Sequence, residues 1–283
     1  MKLYRDEAIV LRTHDLGEAD RIITMLTRNH GKVRGVAKGV RRTKSRFGAR
    51  LEPFAMVDVQ LYEGRGLDVV TEATTLAPYG RSIAASYEAY TGASTLAEVA
   101  DGLAMGEGEP DPQQYLLLLG ALHAMATRAH RPRLIVDSYA LRAVALSGWG
   151  LSLYECAVCG RGDGLAAFAI QSGGMVCASC APRGPAHPGA ATVELLGALV
   201  SGDWETADAD PRATRGGRPR GRLPAVARRT PRPLPQTRGD GVTATGAKTP
   251  RDGSGREPVA PPPHPSGARP PRLAVVPRHV AVV

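Results

Sequence analysis

The four cysteines of this chain stand as two Cys-x2-Cys pairs, Cys156 with Cys159 and Cys177 with Cys180, separated by seventeen residues. That spacing fits two short knuckles that close a tetrahedron of thiolates around one zinc ion. Gly160 follows the first knuckle, and Ala178 and Ser179 lie inside the second. Small residues there let the backbone curl until both thiolates of a pair point at one ion. Two disulfides are the competing reading. Disulfide scaffolds belong to exported chains. The opening MKLYRDEAIVLRTHD carries charge throughout and has no apolar signal core, and no stretch is long and apolar enough to span a bilayer. A catalytic zinc keeps one coordination position open, whereas four thiolates fill the shell. A structural zinc at Cys156, Cys159, Cys177 and Cys180 is therefore expected.

The formal net charge of +9 points to a nucleic-acid binder, but the charge is unevenly placed. Residues 211–283 hold fifteen of the 36 Lys and Arg against three acids, so residues 1–210 carry −3. The same tail holds fifteen of the 23 prolines and fourteen Arg against one Lys, with no helical or strand period. It cannot bury enough apolar surface to offset its ordering entropy. One reading is a basic disordered arm that binds nucleic acid nonspecifically. The Arg, Pro, Gly and Ala bias favours another, an out-of-frame translation of GC-rich DNA.

Residues 1 to about 80 read as five short strands: 7–13, 21–27, 32–38, 54–62 and 67–73. The fourth shows the period of two most clearly, with Val57, Val59 and Leu61 on one face and Asp58 and Gln60 on the other. Asn29-His30-Gly31 and Glu63-Gly64-Arg65-Gly66 mark turns. Five strands in this length suit a small closed barrel of the OB type, which the pattern does not separate from an SH3-like barrel. From Ser82 the period becomes helical. One helix is expected over 83–103, broken at Gly92, and ends before a Gly106-Glu107-Gly108 loop. A second opens on Asp111-Pro112-Gln113-Gln114, which reads as an N-cap, a first-turn proline and a capping-box Gln. A third covers 133–147, a strand covers 166–170 between the knuckles, and a short helix covers 192–200.

Between Arg28 and Arg50 there are nine Lys or Arg and no acid. In the third strand Lys32, Arg34 and Lys38 share one face, while Val33, Gly35 and Ala37 share the other and are small enough for tight curvature. Arg41, Arg42, Lys44, Arg46 and Arg50 continue the charge on a long loop. One-sided positive charge in an otherwise acidic region is an electrostatic footprint for phosphate. Ordinary solvated surface mixes signs, as residues 52–90 do here. Phe47 lies within the run, either as a stacking face for a base or as a loop anchor in the core.

Walker-type, His-Glu-x2-His and Gly-x-Ser-x-Gly motifs are absent from the sequence. Gly162-Asp163-Gly164-Leu165-Ala166-Ala167 resembles a dinucleotide fingerprint but lies between knuckles rather than after a strand. His123 reads as a core or boundary residue, and His14 and Asp20 as turn formers around Gly17. No catalytic pair is nominated.

The block EAIVLRTHDLGEADRIITMLTRNHGKVRGVAKGVRRTKSRFGARLEPF resembles the RecO family of bacterial repair and recombination mediators, chiefly in Gly17-Glu18-Ala19-Asp20-Arg21, Gly31-Lys32, Gly35-Val36-Ala37-Lys38-Gly39 and Leu51-Glu52-Pro53-Phe54. The later order of helices, Trp149-Gly150 and cysteine knuckles is similar to it as well. The resemblance covers residues 1 to about 207. It implies an α+β chain: an N-terminal OB-fold β-barrel followed by an α-helical domain with an inserted four-cysteine zinc finger. The expected boundaries are 1–80 for the barrel, 81–150 for the helical domain, 151–185 for the finger, 186–207 for the return to the helices and 208–283 for the tail. It further implies a non-enzymatic, cytoplasmic, nucleoid-associated protein that binds single- and double-stranded DNA and anneals complementary strands. With RecR it would help load the recombinase RecA onto DNA coated by single-strand DNA-binding protein, with no membrane partner. The family continues with a C-terminal helix on the helical domain, which residues after about 210 do not match. A zinc-dependent nucleic-acid enzyme and a zinc-ribbon RNA or transcription module are the alternatives.

Overall fold

The computed structural model describes residues 2–104 and 108–211. The Gly106-Glu107 part of the expected loop and the tail from residue 212 lie outside the described residues. Five strands, β1 (Leu3–Leu16), β2 (Asp20–Thr27), β3 (Gly31–Ala37), β4 (Met56–Tyr62) and β5 (Asp68–Ala77), close into a barrel of order β1-β2-β3-β5-β4. Closure depends on the length of β1. Its first half pairs with β4 (Leu3↔Tyr62 to Ile9↔Met56) and its second half with β2, across a register shift between Val10 and Arg12. Such a bulge bends a strand and lets it serve two neighbours. The seam between β3 and β5 is parallel and short, Gly35↔Asp68 and Val36↔Val69. This is the OB arrangement, and it resolves the choice that periodicity left open.

Alternation sets the interior. Val57, Val59 and Leu61 are fully buried, as are Ala8, Val10, Ile23, Met25 and Val70. Gly35 sits opposite them, and a Cβ there would stand 3.0 Å from Val70 Cγ2 and 3.2 Å from Leu61 Cδ2. Its smallness is therefore a packing requirement at the tightest part of the wall. The opposite face of β1 and β2 is apolar too. Ile9, Leu11 and Leu26 join Phe54 and the helices in a second core.

The helices are α1 (Tyr79–Ala84), α2 (Tyr87–Leu103), α3 (Pro112–Thr127), α4 (Pro132–Leu146), α5 (Ala190–Ser201) and α6 (Trp204–Ala209). The expected break at Gly92 does not occur. The chain breaks instead at Ala85–Ser86, where the Ser86 side chain caps α2 by accepting from Ala89 N. Gly92 is a packing position, since a Cβ there would meet Met125 Cε at 2.8 Å. Asp111 caps α3 through Gln114 N, with Pro112 in the first turn. Gln114 does not complete a capping box. Its buried side chain donates to Ala143 O at 2.7 Å and Ser147 Oγ at 3.2 Å, tying α3 to the end of α4. Burial makes that tertiary bond worth more than a solvated reciprocal cap.

Between α4 and α5 lies a two-stranded hairpin, β6 (Leu165–Ala169) and β7 (Gly174–Cys177), of which the sequence pattern showed only the first strand. Leu153, Phe168 and Met175 pack on Leu196 of α5 and hold the hairpin to the helices. Helix α6 was also not anticipated. Trp204 stacks on His130 at 3.9 Å and 8° between planes, and Asp208 accepts from His130 Nδ1 at 2.6 Å.

Candidate nucleic-acid interface and metal centre

The chain from Lys38 to Ala55 joins β3 to β4 without regular structure, yet it is firmly seated. Gly39 N donates to Asp20 Oδ1 at 2.7 Å and Arg41 N to Ala19 O at 3.0 Å, so the loop hangs from the β1–β2 turn. Asp20, expected to shape the turn around Gly17, thus serves instead to hold the distant β3–β4 loop. Val40, Phe47 and Leu51 enter the barrel core. Phe47 is 1% exposed, which settles its two readings: it anchors the loop and offers no face to a base. The apolar residues point in because burying a phenyl ring is worth a few kcal/mol, about 1.5–3. The intervening charged residues are thereby left outside.

The sequence-predicted cations divide into groups. Lys38, Arg41, Arg42, Lys44, Arg46 and Arg50 are all at least partly exposed and share this one loop. Lys38, Arg42 and Lys44 have no ion pair among the described residues, so their charge is available. Arg41 is partly committed, donating to Gly17 O at 3.2 Å and lying 3.5 Å from Asp15 Oδ2. Arg50 donates to Arg46 O at 2.6 Å and stiffens the loop's second turn. Arg34 is exposed on the outer face of β3. Lys32 stands apart. Its ammonium donates to Asp101 O at 3.1 Å and lies 3.5 Å from Asp101 Oδ1, at the C-terminal end of α2. Arg12 meets the same aspartate at 3.1 Å. Lys32 therefore links barrel to helices. Of the acids beside the loop, Asp15 and Glu52 each lie 3.0 Å from Arg21, Asp20 accepts from Gly39 N, and Glu18 is exposed in the β1–β2 turn. What remains, among the described residues, is a strip of six exposed loop cations, suited to a polyanion.

The two cysteine knuckles come together as their spacing requires. Cys156 and Cys177 are buried, Cys180 is partly buried and Cys159 is exposed, and all four are free thiols. The four Sγ atoms lie within 4.8 Å of one another and can hold a metal ion. Cys159 Sγ stands 3.9 Å from Cys177 Sγ. Zinc–sulfur bonds of about 2.3 Å in a tetrahedron would set sulfur–sulfur edges of about 3.8 Å, far longer than a disulfide. The thiols share their protons unequally. The Cys177 N–H, donating to Cys156 Sγ, draws that thiol down to about 6, whereas the neighbouring thiol of Cys177 pushes Cys180 up to about 12. Crowded thiols that resist joint ionisation are what a central dication relieves. The β6–β7 hairpin positions the set, since Cys177 pairs with Leu165 at its open end.

A buried carboxylate escaped the sequence reading. Asp6 accepts from Asn29 N at 3.0 Å, Asn29 Nδ2 at 2.9 Å and His30 Nδ1 at 2.6 Å. It braces the β2–β3 turn, and strand alternation gives no signal for it. His123 is exposed on α3 and meets Tyr79 edge-on at 5.8 Å, a boundary position. Among the described residues no helix is long and apolar enough to cross a membrane.

Comparison with known proteins bears on the whole of this arrangement. Residues 1–79 match the family model for the N terminal of recombination protein O, and residues 84–217 match that for its C terminal. The chain is 53% identical over 209 residues to the DNA repair protein RecO of Thermobifida fusca, covering 74% of this chain and 86% of that one. It is 51% identical over 224 residues to the DNA repair protein RecO of Streptomyces avermitilis, covering 77% and 90%. To that of Bifidobacterium longum it is 53% identical over 211 residues, covering 75% and 88%. With both halves matched across the barrel, the helices and the cysteine hairpin, this chain belongs to the recombination protein O family.

Proposed function

We propose that this chain is a non-enzymatic DNA-binding repair protein that anneals complementary strands. With RecR it helps load RecA onto single-stranded DNA covered by single-strand DNA-binding protein. The observation that carries the reading is the exposed strip Lys38, Arg41, Arg42, Lys44, Arg46 and Arg50, held out from the barrel by buried Phe47 and Leu51. Neutralising phosphates releases condensed counterions, which supplies sequence-independent affinity for single and double strands alike. It also lowers repulsion between two strands, so that base pairing drives them together. Arg34 extends the strip along β3, and Lys32 contributes by fixing the barrel against α2. The names of the relatives support the repair role.

The cysteine site is read as a structural zinc. Its four thiolates leave no open coordination position, so the ion's chemistry is that of a cross-link. Residues 151–185 are then a clip on the helical domain, and residues 1–80 the DNA-binding unit. The setting is the cytoplasm, at the nucleoid. Among the described residues the thiolates are the only group of three or more His, Cys, Asp or Glu with metal-holding geometry. That favours this reading over a zinc-dependent nucleic-acid enzyme. Annealing of labelled complementary oligonucleotides, with and without single-strand DNA-binding protein, is the test. Acceleration under both conditions is expected, and no acceleration in either would overturn the proposal.

A further inference from the structure

Single-strand binding sites combine a cationic track with aromatic faces on which bases stack. The basic loop supplies the first and lacks the second, because both of its phenylalanines are buried, Phe47 at 1% and Phe54 at 3% exposed. The neighbouring helix carries what the loop lacks. Tyr87 is 87% exposed and Tyr90 47%. They stand three residues apart in α2 and therefore on one face. Thr91 and Ser94 continue that face, and their hydroxyls are bonded to the Tyr87 and Tyr90 carbonyls at 2.8 and 2.9 Å.

The helix face and the loop are physically joined. Tyr90 meets Phe54 edge-on, with ring centroids 5.6 Å apart and planes at 77°. Phe54 is fixed in turn. Its φ of 69° is an uncommon backbone conformation for a bulky residue, and its N–H donates to Val10 O at 2.8 Å. Arg50 precedes Phe54 by four residues, at most about 14 Å of chain. Gly80, at the start of α1, closes on the same point: a Cβ there would stand 2.8 Å from Pro53 O. The start of α1 and the first turns of α2 thus both meet the end of the basic loop, and Arg81 adds an exposed cation on α1. Glu88 is the acid in this first turn, where it complements the helix N-terminus.

We propose that Tyr87 and Tyr90 form a base-stacking platform for single-stranded DNA whose phosphates run along the Lys38–Arg50 loop. The inference rests on the DNA-binding reading above and adds to it a means of preferring unpaired bases. Lone exposed tyrosines are ordinary on protein surfaces. A pair on one helix face, joined through Phe54 to the end of the cationic loop, offers a strand both of the contacts it needs. An OB-type site spans roughly 4–16 nucleotides, more than enough to reach from Arg50 to Tyr87. The cationic loop joined to the rings through Phe54 favours a polyanionic occupant over an apolar protein surface.

The test uses the full chain and two fluorescent probes of equal length and phosphate number, an oligo-dT and its abasic counterpart, followed by anisotropy. The unaltered chain should bind oligo-dT more tightly than the abasic strand. Tyr87→Ala should weaken oligo-dT binding by at least about fivefold, the low end of one stacked base. Abasic binding and the salt dependence should stay unchanged, and Tyr87→Phe should restore oligo-dT binding. Tyr90→Ala should act likewise, but Tyr90 also packs on Phe54, so the largely unpacked Tyr87 is the decisive position. Unchanged oligo-dT affinity in Tyr87→Ala, or equal losses on both probes, overturns the platform while leaving DNA binding intact. If the unaltered chain binds neither probe, the DNA-binding reading itself fails and the platform with it.

Discussion

The Arg46 guanidinium carbon lies 4.8 Å from the centroid of the Phe47 ring, so adjacent residues of the basic loop pair a charge with a buried aromatic. The ring fills the barrel core and the cation rides over it towards solvent. A cation over an aromatic face is held by the ring quadrupole. The contact therefore presents the strip as well as anchoring it.

Replacing Phe47 by Ala should behave as a core deletion. Phe→Ala changes in cores cost about 3–5 kcal/mol, so the thermal transition should fall by many degrees. Circular dichroism melting checks this. DNA affinity should fall too, through a loosened loop, and equally for oligo-dT and abasic strands. A variant with unchanged melting that lost only oligo-dT binding would restore Phe47 as a stacking residue.

The cysteine site makes a second prediction. The purified chain should carry one zinc, measurable by elemental analysis. Thiolate binding in small structural sites is worth on the order of 10–16 kcal/mol at neutral pH. Otherwise the hairpin is held by apolar contacts through Leu153, Phe168 and Met175 and by backbone hydrogen bonds with Ser152, Ala157 and Ala186. Cys177→Ser should therefore make residues 156–180 protease-sensitive while DNA binding by the barrel largely persists. Thiols recovered as disulfides without zinc would contradict the site, and loss of a hydrolytic activity on chelation would make it catalytic.

Truncation separates the contribution of α6 from that of the basic tail. Ending the chain after residue 211 should leave the melting transition nearly unchanged. Loss of the tail's cations should still lower nonspecific DNA affinity. Ending it after residue 202 removes the Trp204–His130 stack and the Asp208–His130 hydrogen bond. That shorter chain should melt clearly lower. Equal melting of both would mean α6 contributes nothing, and a large fall on the first cut would mean the tail packs.

How much of the molecule was legible in the sequence depends on the range of each interaction. Val57, Val59 and Leu61 reveal their strand because alternation is local. The cysteine pairs reveal their site because knuckle geometry is local too. Gln114 misled because its neighbours in sequence suggest a cap, whereas its partners Ala143 and Ser147 lie a helix away. Gly92 misled for a similar reason. Read as a helix breaker, it is instead the place where Met125 needs room. Lys32 looked like the other cations of its strand, and only the fold brings Asp101 to it. Tyr87 and Tyr90 carried no sign in sequence of being beside the loop, since the link runs through Phe54.

The central claim is that the β3–β4 loop binds DNA through phosphate. The most direct measurement is the salt dependence of single-strand affinity for the unaltered chain and for Lys38→Ala/Arg42→Ala/Lys44→Ala. These three cations have no ion pair among the described residues, so the substitutions should leave melting unchanged. Each phosphate contact removed should shrink the log–log salt slope by roughly 0.7, about 2 for all three. Affinity should fall alike for every sequence. An unchanged slope and affinity in the triple variant would place DNA elsewhere and contradict the account.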